Sequence, residues 1–366
     1  MIPHQQFAAR LVAWQRVHGR HDLPWQRTRD PYRIWLSEIM LQQTQVTTVI
    51  PYYARFLERF PDVAALAAAD EDAVLALWAG LGYYSRARNL HRLAKEVVAN
   101  HGGVFPSDAA ALAMLPGIGR STAAAIASFA FGARETILDG NVKRVLARAY
   151  GIEGFPGEKR VETQLWALAE SLLPGEGDPA MGAYTQGLMD LGATLCVRGT
   201  PACVRCPFAD DCVAHLTGRE RALPTPRPKK TVPRRARWML VLRDGDRVLL
   251  EKRPPAGIWG GLWSLPEADT EPALAERTRA LGGAARFEML GPLSHAFTHF
   301  KLDIHACIDQ RAADGAAGPA SEACTVAEAG GGAATETRWV RLDALDSYGL
   351  PAPISKLLGQ LRGTLL

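Results

Sequence analysis

The chain has 366 residues, 48% hydrophobic and 22% charged, a balance that describes a folded globular protein; at roughly 150 residues per domain it predicts two or three domains. Lys and Arg number 42 against 38 Asp and Glu, a net charge of +4 that suits a nucleic-acid binder without requiring one. No apolar run reaches the ~18 residues of a membrane helix, the N-terminus shows no charged segment followed by an apolar one, and six cysteines in a chain read as unsecreted argue against a disulfide framework; membrane, fibrous and disulfide-scaffold classes are set aside.

Residues 1–218 are rich in Ala and Leu at helical spacing, as at Phe7, Leu11 and Trp14 or Val74, Leu77, Trp78 and Leu81, with Pro and Gly between segments. This predicts an all-α domain of many short helices. Glu38 falls in mid-helix among Ile34, Trp35, Ile39 and Leu41; by itself, a helix glutamate usually faces solvent. Asp108 or Ser107 can cap a helix ending near Leu115, Pro116-Gly117-Ile118-Gly119 stops it, and a second helix runs from near Ser121 to Gly132. Glycines at a helix N-terminus let backbone N–H groups approach a phosphate, although such a turn can equally be plain packing. Asp139, beside Gly140 and before an apolar helix, is placed to be an N-cap.

Cys196, Cys203, Cys206 and Cys212 lie within 17 residues, while Cys307 and Cys324 stand apart. Four thiolates so spaced can close on Zn²⁺ or on an iron–sulfur cluster, and the spacing alone leaves both open. Arg198 and Arg205 on the same loop could meet phosphates. From Arg219 to Arg237 eight basic residues face the single acid Glu220, among Pro224, Pro226, Pro228 and Pro233. Such sequence reads as a semi-rigid basic linker, residues 219–236. The rest of the chain is net negative. Residues 237–366 look α+β: a hairpin around Asp244-Gly245-Asp246, alternation over Phe300–Ile308, helices near Pro272–Leu281 and Ile354–Leu361, and an Ala/Gly-rich surface loop over 311–335.

The combination of Leu115-Pro-Gly-Ile-Gly119, Asp139 and the four-Cys loop resembles the helix–hairpin–helix DNA glycosylase superfamily, in its iron–sulfur branch. Pro31-Tyr-Arg-Ile-Trp35-Leu-Ser-Glu38-Ile-Met-Leu41-Gln42-Gln43-Thr44-Gln45 and Gly80-Leu-Gly82-Tyr83-Tyr84-Ser-Arg86 resemble the MutY family of adenine DNA glycosylases. Trp259-Gly-Gly-Leu-Trp263-Ser-Leu-Pro266-Glu267 resembles that family's Nudix-like C-terminal domain, without the glutamate run of an active hydrolase. The resemblance therefore implies a multi-domain fold: an all-α helix–hairpin–helix glycosylase domain with a four-Cys cluster loop, plus an α+β Nudix-like domain.

It also implies a chemistry. Adenine opposite 8-oxoguanine or G is flipped from the duplex, Glu38 donates a proton to the base, Asp139 stabilises the sugar cation and Asn141 orients Asp139 or water. In bifunctional relatives a lysine opens the second hairpin helix; Ser121 stands there, which implies base removal alone, with Lys143 as a source of incidental Schiff-base chemistry. Leu41, Gln43 and Tyr83 are implied at the opposing base, Gly117, Gly119, Ser121 and Lys143 at DNA, Gln186 in the adenine pocket, and Phe297, Thr298 and His299 at 8-oxoguanine, with Thr298 where the family carries Ser. The four cysteines would hold a [4Fe–4S] cluster. The expected partner is double-stranded DNA carrying A:8-oxoG or A:G mispairs, and the expected setting a monomer on cytoplasmic, bacterial nucleoid DNA. Three rivals remain: an endonuclease III-like glycosylase/lyase, a non-catalytic iron–sulfur DNA-binding protein, and a nucleotide pyrophosphohydrolase.

Overall fold

A computed structural model describes residues 2–228, 231–311, 324–326 and 335–363. They form two compact units, one of residues 1–68 and 89–229, the other of 69–88 and 230–366. Helices follow in the order α1 (His4–His18), α2 (Pro31–Leu41), α3 (Val46–Arg59), α4 (Val63–Ala68), α5 (Glu71–Trp78), α6 (Ser85–His101), α7 (Ala109–Ala113), α8 (Arg120–Phe131), α9 (Gly140–Tyr150), α10 (Lys159–Ser171), α11 (Met181–Asp190) and α12 (Val213–Leu216).

Helix α2 begins where Asp30 accepts the Tyr32 N–H at 2.9 Å, and Pro31 fits its first turn because no donor is needed there. It packs on α3 and α8 and buries Tyr32, Ile34, Trp35, Leu36, Ile39 and Met40. A helix covered round most of its circumference can hold a carboxyl out of water. The α7–α8 hairpin is set by Asp108, which accepts the Ala111 N–H at 2.9 Å, and by Gly117 at φ +79°. Helix α1 packs along α11, and Phe7 and Leu11 share one core with Val142, Val145, Leu146, Leu165 and Tyr184.

The second unit is built on a mixed sheet: β1 (Arg234–Asp244), β2 (Arg247–Lys252), β3 (Trp263–Ser264), β4 (Glu267–Ala268), β5 (Glu288–Met289), β6 (Leu293–Ala296), β7 (Lys301–Gln310), β8 (Cys324–Val326) and β9 (Thr335–Arg341). The order is β5-β7-β1-β2-β9-β8, with β1 parallel to β7 and antiparallel to β2. Helix α13 (Glu271–Ala280) packs on β1 and β4, and α14 (Ala352–Gly363) closes the chain order. Leu240, Leu242, Leu249, Leu274 and Cys307 form one core. Among the described residues no helix is long and apolar enough to cross a membrane.

Three boundaries differ from those expected. The basic linker is shorter than residues 219–236. At its start Leu223 is buried and its carbonyl accepts Arg148 Nε at 2.8 Å, while Thr225 Oγ1 accepts the Gly154 N–H at 3.1 Å. At its end Arg234, Arg235 and Ala236 already belong to β1, in register with Lys301, Leu302 and Asp303. Composition registers charge and proline but not a ladder partner 67 residues away. Lys229 and Lys230 lie outside the described residues. Within the expected Ala/Gly loop, Cys324–Val326 pairs with β9; residues 312–323 and 327–334 lie outside the described residues. Residues 69–88, expected with the helical domain, group instead with the sheet. Lys252 Nζ lies 2.9 Å from Asp72, the Trp263 indole N–H bonds the same carboxylate at 3.2 Å, and the Tyr84 hydroxyl donates to the Leu350 carbonyl at 3.0 Å.

Candidate active site

The two carboxylates singled out from sequence come together. Glu38 sits in α2, and burial pushes its pKa up to about 8, with the negative charge of Asp139 as the second cause. Asp139 caps α9: its Oδ1 accepts the N–H groups of Asn141 at 2.9 Å and Val142 at 2.8 Å, and its Oδ2 accepts the Asn141 amide at 3.2 Å. Burial raises the Asp139 pKa too, but those bonds and the Arg144 guanidinium oppose the rise. Only raising causes act on Glu38. When one proton is shared between such a pair, it resides on Glu38, and Asp139 keeps the charge at a helix N-terminus.

Glu38 lines a cavity of about 290 Å³ together with Gln186, Trp25, Arg20, His21 and Phe129. That volume suits one planar base and no duplex. Gln186 is nearly buried in α11, and its Nε2 donates to Asp190 at 2.8 Å. Sequence reasoning did not reach Asp190, Arg20 or Trp25.

Asn141 is itself held from behind. Its Oδ1 accepts Arg144 Nη2 at 2.8 Å, and the same guanidinium donates to the carbonyls of Gly192 at 2.7 Å and Cys196 at 2.6 Å. One turn on, Arg148 donates to the Cys196 sulfur at 3.3 Å and to the Val197 carbonyl at 2.7 Å. The close approach depends on Gly192, in the π-turn Leu191–Leu195 that follows α11; a Cβ there would stand 2.5 Å from the Asn141 Cβ. Two buried arginines at i and i+4 in an apolar helix were the available signal for this network.

All four clustered cysteines are free thiols lining one small cavity of about 30 Å³, with Arg148, Phe208 and Leu195. Burial pushes Cys206 up to about 12 and also raises Cys203 and Cys212, each with neighbouring cysteines as a further cause. A bound metal reverses that logic by deprotonating its thiols. Four soft sulfur donors around one small cavity fit a metal centre held by thiolates. Cys203, His215 and Glu220 do converge within 4.8 Å, but the His215–Glu220 hydrogen bond of 2.8 Å accounts for that. Phe7 stacks on Phe208 at 4.5 Å, and Arg10 bonds Asp211 and the Pro207 carbonyl, so α1 braces the loop.

The two hairpin glycines separate. Gly117 is needed by the fold, since its φ is +79° and a Cβ would meet Asn89 at 2.7 Å. Gly119 has ordinary φ −94° and open space at the α8 N-terminus. Ser121 Oγ accepts the Leu138 N–H at 2.9 Å, and Lys143 Nζ lies 2.5 Å from Glu162; both side chains thus have protein partners, and Lys143 is not a loose amine. Leu41 ends α2, and Gln43 just beyond it has φ +57°. Tyr83, in the other unit, has φ +50° and an exposed ring, with Arg86 5.7 Å above it and donating to the carbonyls of Leu81 and Gly82. Phe297, Thr298 and His299 form the tip of the β6–β7 hairpin, closed by the Phe297 N–H to the Phe300 carbonyl at 2.8 Å. Thr298 and His299 are exposed, and Phe297 packs between Phe300 at 4.6 Å and Trp259 at 5.5 Å. Trp259, which opens the Trp259–Glu267 motif, has φ +55°; that motif does not show its packing on the hairpin tip.

Residues 36–171 match the HhH-GPD superfamily of base excision DNA repair proteins, and residues 237–360 match the NUDIX domain. A helical glycosylase domain followed by a Nudix-like domain is thus the architecture. The chain is 38% identical over 300 residues to an adenine DNA glycosylase of Buchnera aphidicola subsp. Acyrthosiphon pisum, covering 82% of this chain and 85% of that one. It is 35% identical to the adenine DNA glycosylase of Homo sapiens, over 81% of this chain and 65% of that one. The chain belongs to the adenine DNA glycosylase family. A solved thermostable thymine-DNA glycosylase is also similar, at TM-score 0.52 and 29% identity, covering 58% of this chain and 97% of that one; the helical scaffold does not by itself specify the base.

Holding Glu38 protonated has a measurable consequence for stability. The folded-state pKa of about 8 lies above the ~4.3 of an unfolded glutamate, so between these values the folded state binds more protons and stability falls as pH rises. Glu38→Gln removes this dependence. Its melting temperature should exceed that of the wild type by an amount that grows from pH 5 to pH 8, read by thermal melts; a constant difference across that range rules out the raised pKa.

Proposed function

We propose that this protein is a monofunctional adenine DNA N-glycosylase that removes adenine mispaired with 8-oxoguanine or G from duplex DNA. The observation that carries the reading is that Glu38, with its pKa raised by burial and by the charge of Asp139, lines a base-sized pocket, while Asp139 is held by two backbone N–H groups and the Asn141 amide. Adenine flipped into that pocket is a poor leaving group until N7 takes a proton, and Glu38 is the acid that still holds one near neutral pH. As the glycosidic bond breaks, positive charge grows at C1′. The Asp139 carboxylate, fixed by two backbone N–H groups and Asn141, stabilises that cation without having to reorganise. The division of labour parallels the two carboxylates of glycoside hydrolases.

Strand cleavage through an amine is not part of this reading. Ser121 stands at the hairpin position and Lys143 is paired with Glu162. Cys196, Cys203, Cys206 and Cys212 would hold a [4Fe–4S] cluster, whose thiolate bonds would fix the loop that carries the carbonyl acceptors of Arg144 and Arg148. Phe297, Thr298 and His299 would read 8-oxoguanine from the hairpin tip, with the Thr298 hydroxyl as donor or acceptor. In the C-terminal unit Glu251 is paired with Arg277 at 2.7 Å and Glu267 with Arg253 at 2.7 Å, so these carboxylates are taken up by arginines, which supports a recognition domain over a Mg²⁺-dependent hydrolase. DNA would be engaged through Gly119, Leu41, Gln43 and Tyr83.

Single-turnover release of adenine from an A:8-oxoG duplex tests the central claim. Wild type should release adenine, and Glu38→Gln and Asp139→Asn should each lose at least about a hundredfold; full activity in both variants would falsify the mechanism. Efficient borohydride trapping with strand scission at an oxidised pyrimidine would favour an endonuclease III-like lyase instead. Purified protein should be brown with about four irons per chain, whereas a colourless protein with one zinc excludes the cluster. Thr298→Ala should reduce the preference for A:8-oxoG over A:G by about tenfold, measured as the ratio of the two rates; an unchanged ratio removes the hydroxyl from recognition.

A further inference from the structure

Gln186 lines the same cavity as Glu38. Gln186 presents an amide, and an amide can offer either two N–H donors or one oxygen acceptor to a ligand, depending on which way it is turned. Which end meets the ligand is decided by the partner that holds the other end. Here the partner is Asp190, one turn further along α11 and fully buried. Its Oδ1 lies 2.8 Å from Gln186 Nε2 and 2.7 Å from Arg20 Nε, and its Oδ2 accepts the Arg20 backbone N–H at 2.9 Å. An ionised carboxylate only accepts, so the amide nitrogen must be the end that faces it. The Gln186 oxygen is then the end left for the cavity, and no donor of the described residues bonds it.

We infer that Asp190 is a positioning residue that locks the Gln186 amide with its oxygen toward the pocket, and so makes the site selective for a purine bearing an amino group at C6 over one bearing an oxygen there. The inference rests on the adenine reading above and goes beyond it, because it assigns the choice between donor and acceptor to a residue that touches no base. With the amide oxygen outward, a 6-amino group donates to it. A 6-oxo group sets two acceptors against each other, and a purine with only hydrogen at C6 leaves the Gln186 oxygen unpaired. Arg20 completes the lock: it donates twice more to Asp190 and also lines the cavity, so the carboxylate cannot swing away from Gln186 without stranding a guanidinium.

The isosteric Asp190→Asn variant breaks the lock, since an asparagine amide can donate to the Gln186 oxygen and let the side chain turn over. Single-turnover rates on duplexes with adenine, unsubstituted purine or hypoxanthine opposite 8-oxoguanine read the effect. Relative to wild type, Asp190→Asn should lose at least about tenfold more on adenine than on unsubstituted purine, and its ratio of hypoxanthine to adenine release should rise. Gln186→Leu should lose the same adenine-over-purine preference, and the double variant should lose no more than Gln186→Leu alone, because both changes remove one interaction. An equal fall on all three bases in Asp190→Asn, or additive losses in the double variant, means that Asp190 only supports the fold and overturns the inference. Should Asp190→Asn not fold, as judged by its melt, Gln186→Leu decides alone: a retained preference for adenine over purine overturns the lock, and a collapsed one supports it. Wild-type protein that releases no adenine refutes the functional reading itself, an outcome distinct from wild-type activity with unchanged selectivity in the variants.

Discussion

Two half-buried carboxyl groups whose charges repel one another resist being ionised together, and the surroundings of each decide which of them keeps the proton. Glu38 lies in the middle of α2 with apolar side chains before and after it, and nothing there favours its anion. Asp139 lies at the start of α9, where two N–H groups of the first turn, an amide and a nearby guanidinium all favour charge. Exchanging the two environments would exchange the two roles. The fold delivers this asymmetry by bringing a helix middle and a helix end, 101 residues apart in sequence, close enough for the Asp139 charge to raise the Glu38 pKa. A pair of surface glutamates at the same separation would be screened and would differ little.

The cysteine loop belongs to the same arrangement. Arg144 and Arg148 are buried, and a buried guanidinium is tolerated only if its donors find acceptors. Besides Gly140 and Asn141 of their own helix, those acceptors include the carbonyls of Gly192, Cys196, Val197 and Leu223, supplied by the chain beyond α11. Arg144 in turn fixes Asn141, which bonds Asp139. The path from the cysteine loop to Asp139 is therefore a run of hydrogen bonds between 2.6 and 3.2 Å. A group that organises the loop organises Asp139, with no need to take part in the chemistry.

What the sequence revealed and what it hid follow from the range of each interaction. The helix cap at Asp139, the hairpin at Gly117 and the four cysteines are local patterns within a few turns of chain, and each is legible from spacing and residue type. Asp190 bonds Arg20 across 170 residues, and Arg148 bonds the Leu223 carbonyl across 75; no window of sequence contains both partners. Gly192 reads as an ordinary helix-end glycine until Asn141 is found against it. The Phe297-Thr298-His299 run stands out in the sequence only by a resemblance, and its position at a hairpin tip depends on the pairing of Ala296 with Lys301. Proline and arginine dominate the composition of residues 219–236, while Leu223 at one end and the β1–β7 ladder at the other are decided by partners elsewhere.

Backbone strain marks a further division between fold and function. Four non-glycine residues among those described have positive φ: Gln43, Tyr83, Trp259 and Ala285. Each conformation costs on the order of 1–3 kcal/mol and persists only where surroundings enforce it. At Ala285 the enforcing contact is visible and structural, since its N–H donates to Asp309 at 2.7 Å in the sheet unit. At Tyr83 the carbonyls of Leu81 and Gly82 are tied down by Arg86, yet the ring itself remains exposed. Trp259 is buried against His295 and Phe297, so its strain is spent on the hairpin that carries Thr298 and His299. Packing alone would favour relaxed backbone at an exposed tyrosine and at a turn glutamine. Gln43 and Tyr83 keep their strain although both side chains are exposed, so it is not offset by burial in the core of either unit.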